Sequence, residues 1–168
     1  DGVGRAEKIV YPTGFQTKNT YNAFGALDEV RRADGTHTDL YWQADHYAVD
    51  GRVDGETYGN GLTNDRVYSK STGRLLVAAV GLAPANGVQY LNYGYDAVGN
   101  VLSREDSPTG RTESFVYDAL DRLTSSIVAG AGGPGTIDVS YYANGNIHTK
   151  SDVGTYAYSG INAGPHAV

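Results

Sequence analysis

The 168-residue chain contains no cysteine and no methionine. A disulfide framework, a cysteine zinc site, an iron–sulfur centre and a thiol nucleophile are therefore excluded. Phenylalanine and tryptophan are scarce, with 3 and 1 copies. No apolar run approaches the ~18 residues a membrane helix needs, and residues 1–20 do not read as a basic-then-apolar signal segment. Basic residues are outnumbered, 13 Lys and Arg against 19 Asp and Glu. The resulting net charge of −6 and a pI of about 5.0 weigh against a nucleic-acid surface.

Glycine and tyrosine are abundant, with 23 and 14 copies. Glycine stands at about twice its ordinary ~7% share. Tyrosine in excess of Phe suits a twisted, half-buried sheet better than a packed helical core.

An internal repeat organises both residues. Tyr95-Asp96-Ala97-Val98-Gly99-Asn100-Val101-Leu102 is echoed by Tyr117-Asp118-Ala119-Leu120-Asp121-Arg122-Leu123 and by Tyr141-Tyr142-Ala143-Asn144-Gly145-Asn146-Ile147. The same frame runs upstream through Tyr21 to Gly25 and Leu27, and through Tyr47 to Gly51 and Val53. Tyr68 to Gly73, Arg74 and Leu75 carries it with one residue inserted. The leading tyrosines 21, 47, 68, 95, 117 and 141 are spaced 26, 21, 27, 22 and 24 residues apart. A looser unit begins at Tyr156.

Each unit has a physical logic. An aromatic residue closes a strand, and turn residues ending in Gly or Asp follow. A basic or amide residue and an aliphatic one then open the next strand. Gly, and less readily Asp or Asn, reaches the positive φ that such a turn needs. The flanks alternate with period two, as in Phe115 and Tyr117 or Val139 and Tyr141, which predicts half-buried antiparallel strands. The pattern predicts an all-β chain with hairpin turns at 96–99, 118–121 and 142–145, and positive φ at Gly99 and Gly145. Only 25–32 and 74–82 leave room for a short helix, and the second suits a strand equally well. Residues 1–20 read as a lead-in strand region or partial repeat. Residues 21–168 read as about six to seven units of about 24 residues, with 130–135 a long hairpin loop.

The Tyr-Asp-x-x-Gly-Asn/Arg-Leu/Val unit resembles the YD repeat of RHS (rearrangement hotspot) proteins. Wall-associated proteins, the shell-forming subunits of insecticidal Tc toxins and animal teneurins share it. Residues 95–103 match closely, as does Gly59-Asn60-Gly61-Leu62-Thr63 running into Tyr68 and Thr72-Gly73-Arg74-Leu75. The closing Gly164-Pro165-His166-Ala167-Val168 is a phrase of bacterial members. Asn22 and Ser69 replace the Asp that follows Tyr, and Asp121 replaces the usual Gly. The resemblance implies tandem hairpins in a curved antiparallel sheet, a segment of an RHS spiral shell. It implies an exported bacterial protein whose non-catalytic shell encloses a C-terminal toxin or effector. The partners it implies are the rest of that shell and the effector, with more repeats after residue 168. The end strands of such a strip are unpaired edges, so self-association is expected.

A search for chemistry gives little. His37, His46, His148 and His166 fall in no metal-ligand spacing. Asp45-His46 and His37-x-Asp39 read as polar residues on an exposed strand face. No Gly-x-Ser-x-Gly elbow and no phosphate loop occur. The run 132–138 misses a calcium glycine repeat by one position, and 50–56 lacks the alternating ligands of an EF-hand. No catalytic, metal or cofactor residue is assigned. Stacking of a glycan on Trp42, with Tyr41 and Tyr47 nearby, is the competing function. A polysaccharide-active enzyme is the third reading. Against the second stands a simpler role for the repeat tyrosines: packing across strands, hydroxyls on water or backbone.

Overall fold

The computed structural model describes residues 1–34, 39–81, 87–130, 132–133 and 135–158. His37, Pro134, His166 and the phrase at 164–168 lie outside them. The chain forms two compact units, Asp1–Tyr90 and Leu91–Val168. Among the described residues there is no helix.

The first unit contains β1 (Lys8–Val10), β2 (Gln16–Tyr21), β3 (Leu27–Arg32), β4 (Leu40–Tyr47), β5 (Val53–Tyr58), β6 (Thr63–Tyr68) and β7 (Leu75–Val80). Each pairs antiparallel with the next. The second unit opens within β8 (Gln89–Tyr95). It continues through β9 (Val101–Asp106), β10 (Arg111–Tyr117), β11 (Leu123–Ala129), β12 (Gly135–Tyr141), β13 (Ile147–Lys150) and β14 (Gly154–Thr155). Here too each strand pairs antiparallel with its successor. The segments with room for a helix are strands instead: Leu27–Arg32 pairs with β2 on one side and β4 on the other. Leu75–Val80 pairs with β6. Ladder hydrogen bonds, on both edges of β3 and along the β6 edge of β7, outweigh the weak helical propensity of these short runs.

This topology explains the 24-residue period. In an up-and-down sheet successive connections alternate between the two ends of the strands. The Tyr-led turns are every second connection, so within each unit they share one end.

The turns themselves are one structure repeated. In the unit led by Tyr47, the Ala48 N–H donates to the Arg52 carbonyl (2.8 Å) and the Gly51 N–H to the Ala48 carbonyl (2.9 Å). The same pair of bonds joins Asn22 with Ala26 and Gly25, Asp118 with Arg122 and Asp121, and Tyr142 with Asn146 and Gly145. This is the type I turn closed by a left-handed residue, which leaves a one-residue bulge. The register shifts beside the leading Tyr accordingly, and Tyr pairs with the aliphatic residue that opens the next strand. Tyr21 faces Leu27, Tyr95 faces Val101 and Tyr117 faces Leu123. The residue inserted between Tyr68 and Leu75 is absorbed inside the turn, where Ser69 pairs with Arg74, and Tyr68 still faces Leu75. Gly99 and Gly145 have φ of 116° and 89°. Asp121, standing where Gly is usual, has φ 58° and is the one non-glycine residue with positive φ among those described.

The fold has almost no conventional core. Ala44 is the only buried hydrophobic residue among those described, and no large side chain is fully buried. The other buried residues among those described are Gly55 and the polar Thr17, Glu56, Glu113 and Asn146. Stability therefore rests on the ladders and on half-buried side chains, which in β3 and β13 occupy every position.

Candidate functional site

Four of the six leading tyrosines donate their hydroxyls to backbone carbonyls of the preceding part of the sheet. Tyr117 donates to the Val101 carbonyl (2.9 Å) and Tyr141 to the Leu123 carbonyl (2.7 Å). Tyr47 donates to the Leu27 carbonyl, and Tyr21 to that of Ala6 at 2.8 Å. In the three later cases the acceptor is the aliphatic residue that opens the second strand of the preceding repeat. The aromatic ring fills the sheet face and its polar tip reaches backbone, as a half-buried Tyr requires. Burial raises the titration of the Tyr47 and Tyr117 hydroxyls above the ordinary tyrosine value, which already keeps them donors at neutral pH.

The residue before that aliphatic makes the return link. Arg122 binds Asp118 of its own turn (Nη2 to Oδ2, 2.6 Å), and its guanidinium lies 4.5 Å from the centre of the Tyr141 ring. Arg52 binds Asp50 at 2.6 Å and lies 4.0 Å from the Tyr68 ring centre. Asn100 donates to Asp96 Oδ2 (2.9 Å) and to Asp121 Oδ1 of the next Tyr-led turn (2.8 Å). The Asp after Tyr caps its own turn. Asp96 Oδ1 accepts N–H groups from Val98, Gly99 and Asn100. Its carboxyl is held low: burial opposes the charge, but the Gly99 N–H and the Asn100 side chain and N–H outweigh it. Asn22 caps through Oδ1 onto Phe24 and Ala26. Ser69 caps through its hydroxyl onto Thr72. Asn and Ser thus keep the acceptor while dropping the charge.

A polar cluster that the motifs did not reveal lies on β4, β5 and β6. Glu56, 8% exposed, accepts from Trp42 Nε1 (2.6 Å), Tyr58 Oη (2.9 Å), Asn64 Nδ2 (2.8 Å) and Arg66 Nη2 (2.8 Å). Burial pushes its carboxyl up. Hydrogen bonds from Trp42, Arg66 and Tyr58 more than offset this and hold it below the usual glutamate range. The register creates the cluster: Ala44 faces Glu56, Glu56 faces Asn64, and Trp42 faces Tyr58. A smaller counterpart in the second unit is Glu113, also 8% exposed, which Arg104 binds at 2.6 Å through Nε.

Trp42 is tied to Glu56 and Tyr47 to the Leu27 carbonyl. Tyr41 lies against Phe15, ring centres 5.9 Å apart, and Phe15 lies against Tyr11 at 5.4 Å. His46 stands on the exposed side of β4 with Nδ1 2.7 Å from Asp54 Oδ1. The His148 ring lies 4.3 Å from that of Tyr142. Residues 50–56 hold a turn and the start of β5, and Asp138 lies within β12. Among the described residues no group of three or more His, Asp or Glu is placed to hold a metal ion.

Comparison with known proteins follows the same lines. Residues 95–134 match the family model described as RHS Repeat. No curated protein matches the chain. Among solved structures, the crystal structure of TcdB2-TccC3-TEV is similar, with 20% identity and a TM-score of 0.75 over 89% of this chain and 9% of that one. The Photorhabdus luminescens Tc holotoxin pore bearing a TccC3 mutation gives 19%, 0.68, 85% and 8%. TcdB2-TccC3-Cdc42 gives 20%, 0.66, 82% and 8%. The chain thus spans under a tenth of the length of these solved chains, and at such identity the likeness is one of fold. A repeat legible in the sequence, a hairpin repeated in the fold and a family-model match converge on residues 95–134, an RHS Repeat segment within a chain whose fold is similar to that of these solved structures.

Proposed function

We propose that this chain is a non-catalytic wall segment of an exported RHS/YD-repeat protein, with residues 21–168 as its repeat region. The shell it helps to form encloses a C-terminal toxin or effector. The observation that carries this reading is the stitch between successive hairpins. Tyr21, Tyr47, Tyr117 and Tyr141, four of the six leading tyrosines, are engaged in holding one hairpin to the next. They converge on no common point where a substrate could sit.

The partners are the remaining shell and the enclosed chain. Phe24, Val49, Val98 and Leu120 stand exposed in the Tyr-led turns, where polar residues are the norm. They give the wall apolar contacts for adjoining parts of the shell. The test is limited proteolysis of the full-length polypeptide that carries this segment. The C-terminal portion should resist trypsin, and should become cleavable when Tyr117 and Tyr141 are both replaced by Ala. Equal cleavage in the two proteins would reject the enclosing role.

Carbohydrate binding is the competing reading. In this structure it would rest on the exposed rings of Tyr11 and Tyr41 flanking Phe15, more than on Trp42. Glycan-array binding that is lost with Tyr41→Ala and retained with Trp42→Phe would favour it over a wall.

A further inference from the structure

His46 occupies the most irregular point of the first unit's ladders. The β4–β5 register breaks on both sides of it, between Ala44 and His46 and between His46 and Tyr47. The row across the sheet at this point is His46, Gly55 and Asp65. Gly55 is the reason the ring can lie across that row. A Cβ built there would meet His46 Cε1 and Nε2 at 2.3 Å and Nδ1 at 2.7 Å. Glycine leaves a slot in β5, and the imidazole fills it. One nitrogen, Nδ1, is 2.7 Å from Asp54 Oδ1 on β5; the other, Nε2, is 3.6 Å from Asp65 Oδ1 on β6.

We propose that His46 is a proton-operated clamp across β4, β5 and β6, closed when the imidazole is charged and loosened on β6 when it is neutral. The neutral ring can carry its proton on Nδ1 and keep the Asp54 bond. Its Nε2 then turns a lone pair toward the Asp65 carboxylate, and the link to β6 is lost. The charged ring donates to Asp54 and attracts Asp65 as an ion pair at 3.6 Å. The charged groups around it are all acidic: Asp45 on its own strand, Asp54 on β5 and Asp65 on β6. Asp45 also accepts from the Thr57 hydroxyl at 2.7 Å. The next residue in the row, Ala79 on β7, is uncharged. The hydrogen bond to Asp54, then the charges of Asp54, Asp65 and Asp45, raise the His46 titration above its ordinary value despite some burial. For a group raised on folding, the stabilisation is full below the unfolded histidine's titration. It is lost as pH rises through the folded value. The clamp therefore tightens this part of the sheet in mildly acidic surroundings. The ring is 59% exposed, so the effect is modest, because exposed ion pairs are weak.

The experiment uses the whole chain and compares wild type, His46→Gln and Asp65→Asn. Urea midpoints are read at about pH 5.5 and about pH 8.5, on either side of an ordinary histidine titration. Wild type should exceed His46→Gln at the lower pH, and the gap should close at the higher one. Asp65→Asn should shrink the pH dependence of the wild-type midpoint. By NMR it should also lower the pH at which the His46 ring titrates, a readout a merely space-filling ring would not move. A His46→Gln gap equal at both pH values would overturn the clamp. So would an unchanged His46 titration in Asp65→Asn.

Discussion

The two units reach the same hairpin with different chemistry. In the unit from Leu91 onward, the turns after Tyr95 and Tyr117 are fixed by the Asp that follows the leading Tyr, whereas Tyr142 stands in that place after Tyr141. Asp96 gathers three backbone N–H groups, and Asp118 accepts from Leu120, Arg122 and the Arg122 side chain. The family match at 95–134 falls here. In the unit from Asp1 to Tyr90, the position after the leading Tyr is Asn22, Ala48 or Ser69. Its turns still close with equivalent backbone bonds. What this unit has instead is the network on its strands, where four side chains from three strands converge on Glu56. The difference teaches that the repeat tolerates loss of its turn signature. Backbone geometry and cross-strand partners specify the hairpin together.

The largest test of that comparison is to remove each buried glutamate. Glu56→Ala leaves the Trp42 N–H, the Asn64 amide and the Arg66 guanidinium without their shared acceptor. It should cost about 3 kcal/mol, the order expected when one partner of a buried charged network is removed. Glu113→Ala should cost about half as much, because its partner Arg104 is 43% exposed and can turn to water. Urea unfolding of the two variants decides it; equal costs would show that the strand network is not what distinguishes the first unit. A pH arm sharpens the result. The Glu56 carboxyl is held low, so its contribution is present above the ordinary glutamate titration. It is lost as pH falls through the folded value. Glu56→Gln should flatten the acid limb of the stability curve, and an unchanged limb would assign acid sensitivity elsewhere.

A smaller effect is expected at the turn position that takes positive φ. Gly145 has φ 89° and no neighbouring atom within 4 Å of where a Cβ would stand. Gly145→Ala thus meets only backbone strain and should cost about 1 kcal/mol. Asp121→Gly relaxes the same position, yet forfeits the bond from Asn100. It should lie within about 0.5 kcal/mol of wild type. Thermal melts that rank these two the other way would mean that the side chain at this position, and not its φ, holds the turn.

Much of the fold was legible because the repeat is local. A leading Tyr, a turn ending in Gly and a period-two flank are all read within eight residues, and they predicted the hairpins at 96–99, 118–121 and 142–145. Two further turns close with the same backbone bonds: Tyr58 to Leu62, within the stretch already matched to the repeat, and Tyr11 to Phe15, which was not anticipated. Gly14 and Gly61 gave the signal, but Val10 and Thr57 stand where the leading Tyr is expected, and these turns lie at the opposite end of the strands. The Glu56 cluster was illegible for a different reason. Trp42, Glu56 and Asn64 become neighbours only through the register of three strands, and β4 carries a bulge within that register. The His46 slot likewise depends on Gly55 falling opposite His46, which spacing alone does not show.

The finest contrast separates two adjacent tyrosines that composition treats alike. Tyr141 leads its unit and donates to the Leu123 carbonyl at 2.7 Å. Tyr142 follows it, is 38% exposed, and reaches the Tyr156 carbonyl only at 3.5 Å. Phenylalanine is the informative replacement, since it keeps the ring and with it the Arg122 contact to Tyr141. Only the hydroxyl is lost. Tyr141→Phe should therefore cost about 1 kcal/mol, the ordinary net value of one hydrogen bond. Tyr142→Phe should cost nothing measurable, because a contact at that distance is barely a hydrogen bond. Tyr141→Leu should cost more than Tyr141→Phe, since it also surrenders the cation–π contact. If Tyr141→Phe melts like wild type while Tyr141→Leu does not, the ring alone couples the hairpins. The recurrence of the hydroxyl bonds along the chain would then be a by-product of packing, and the stitch would be aromatic instead of polar.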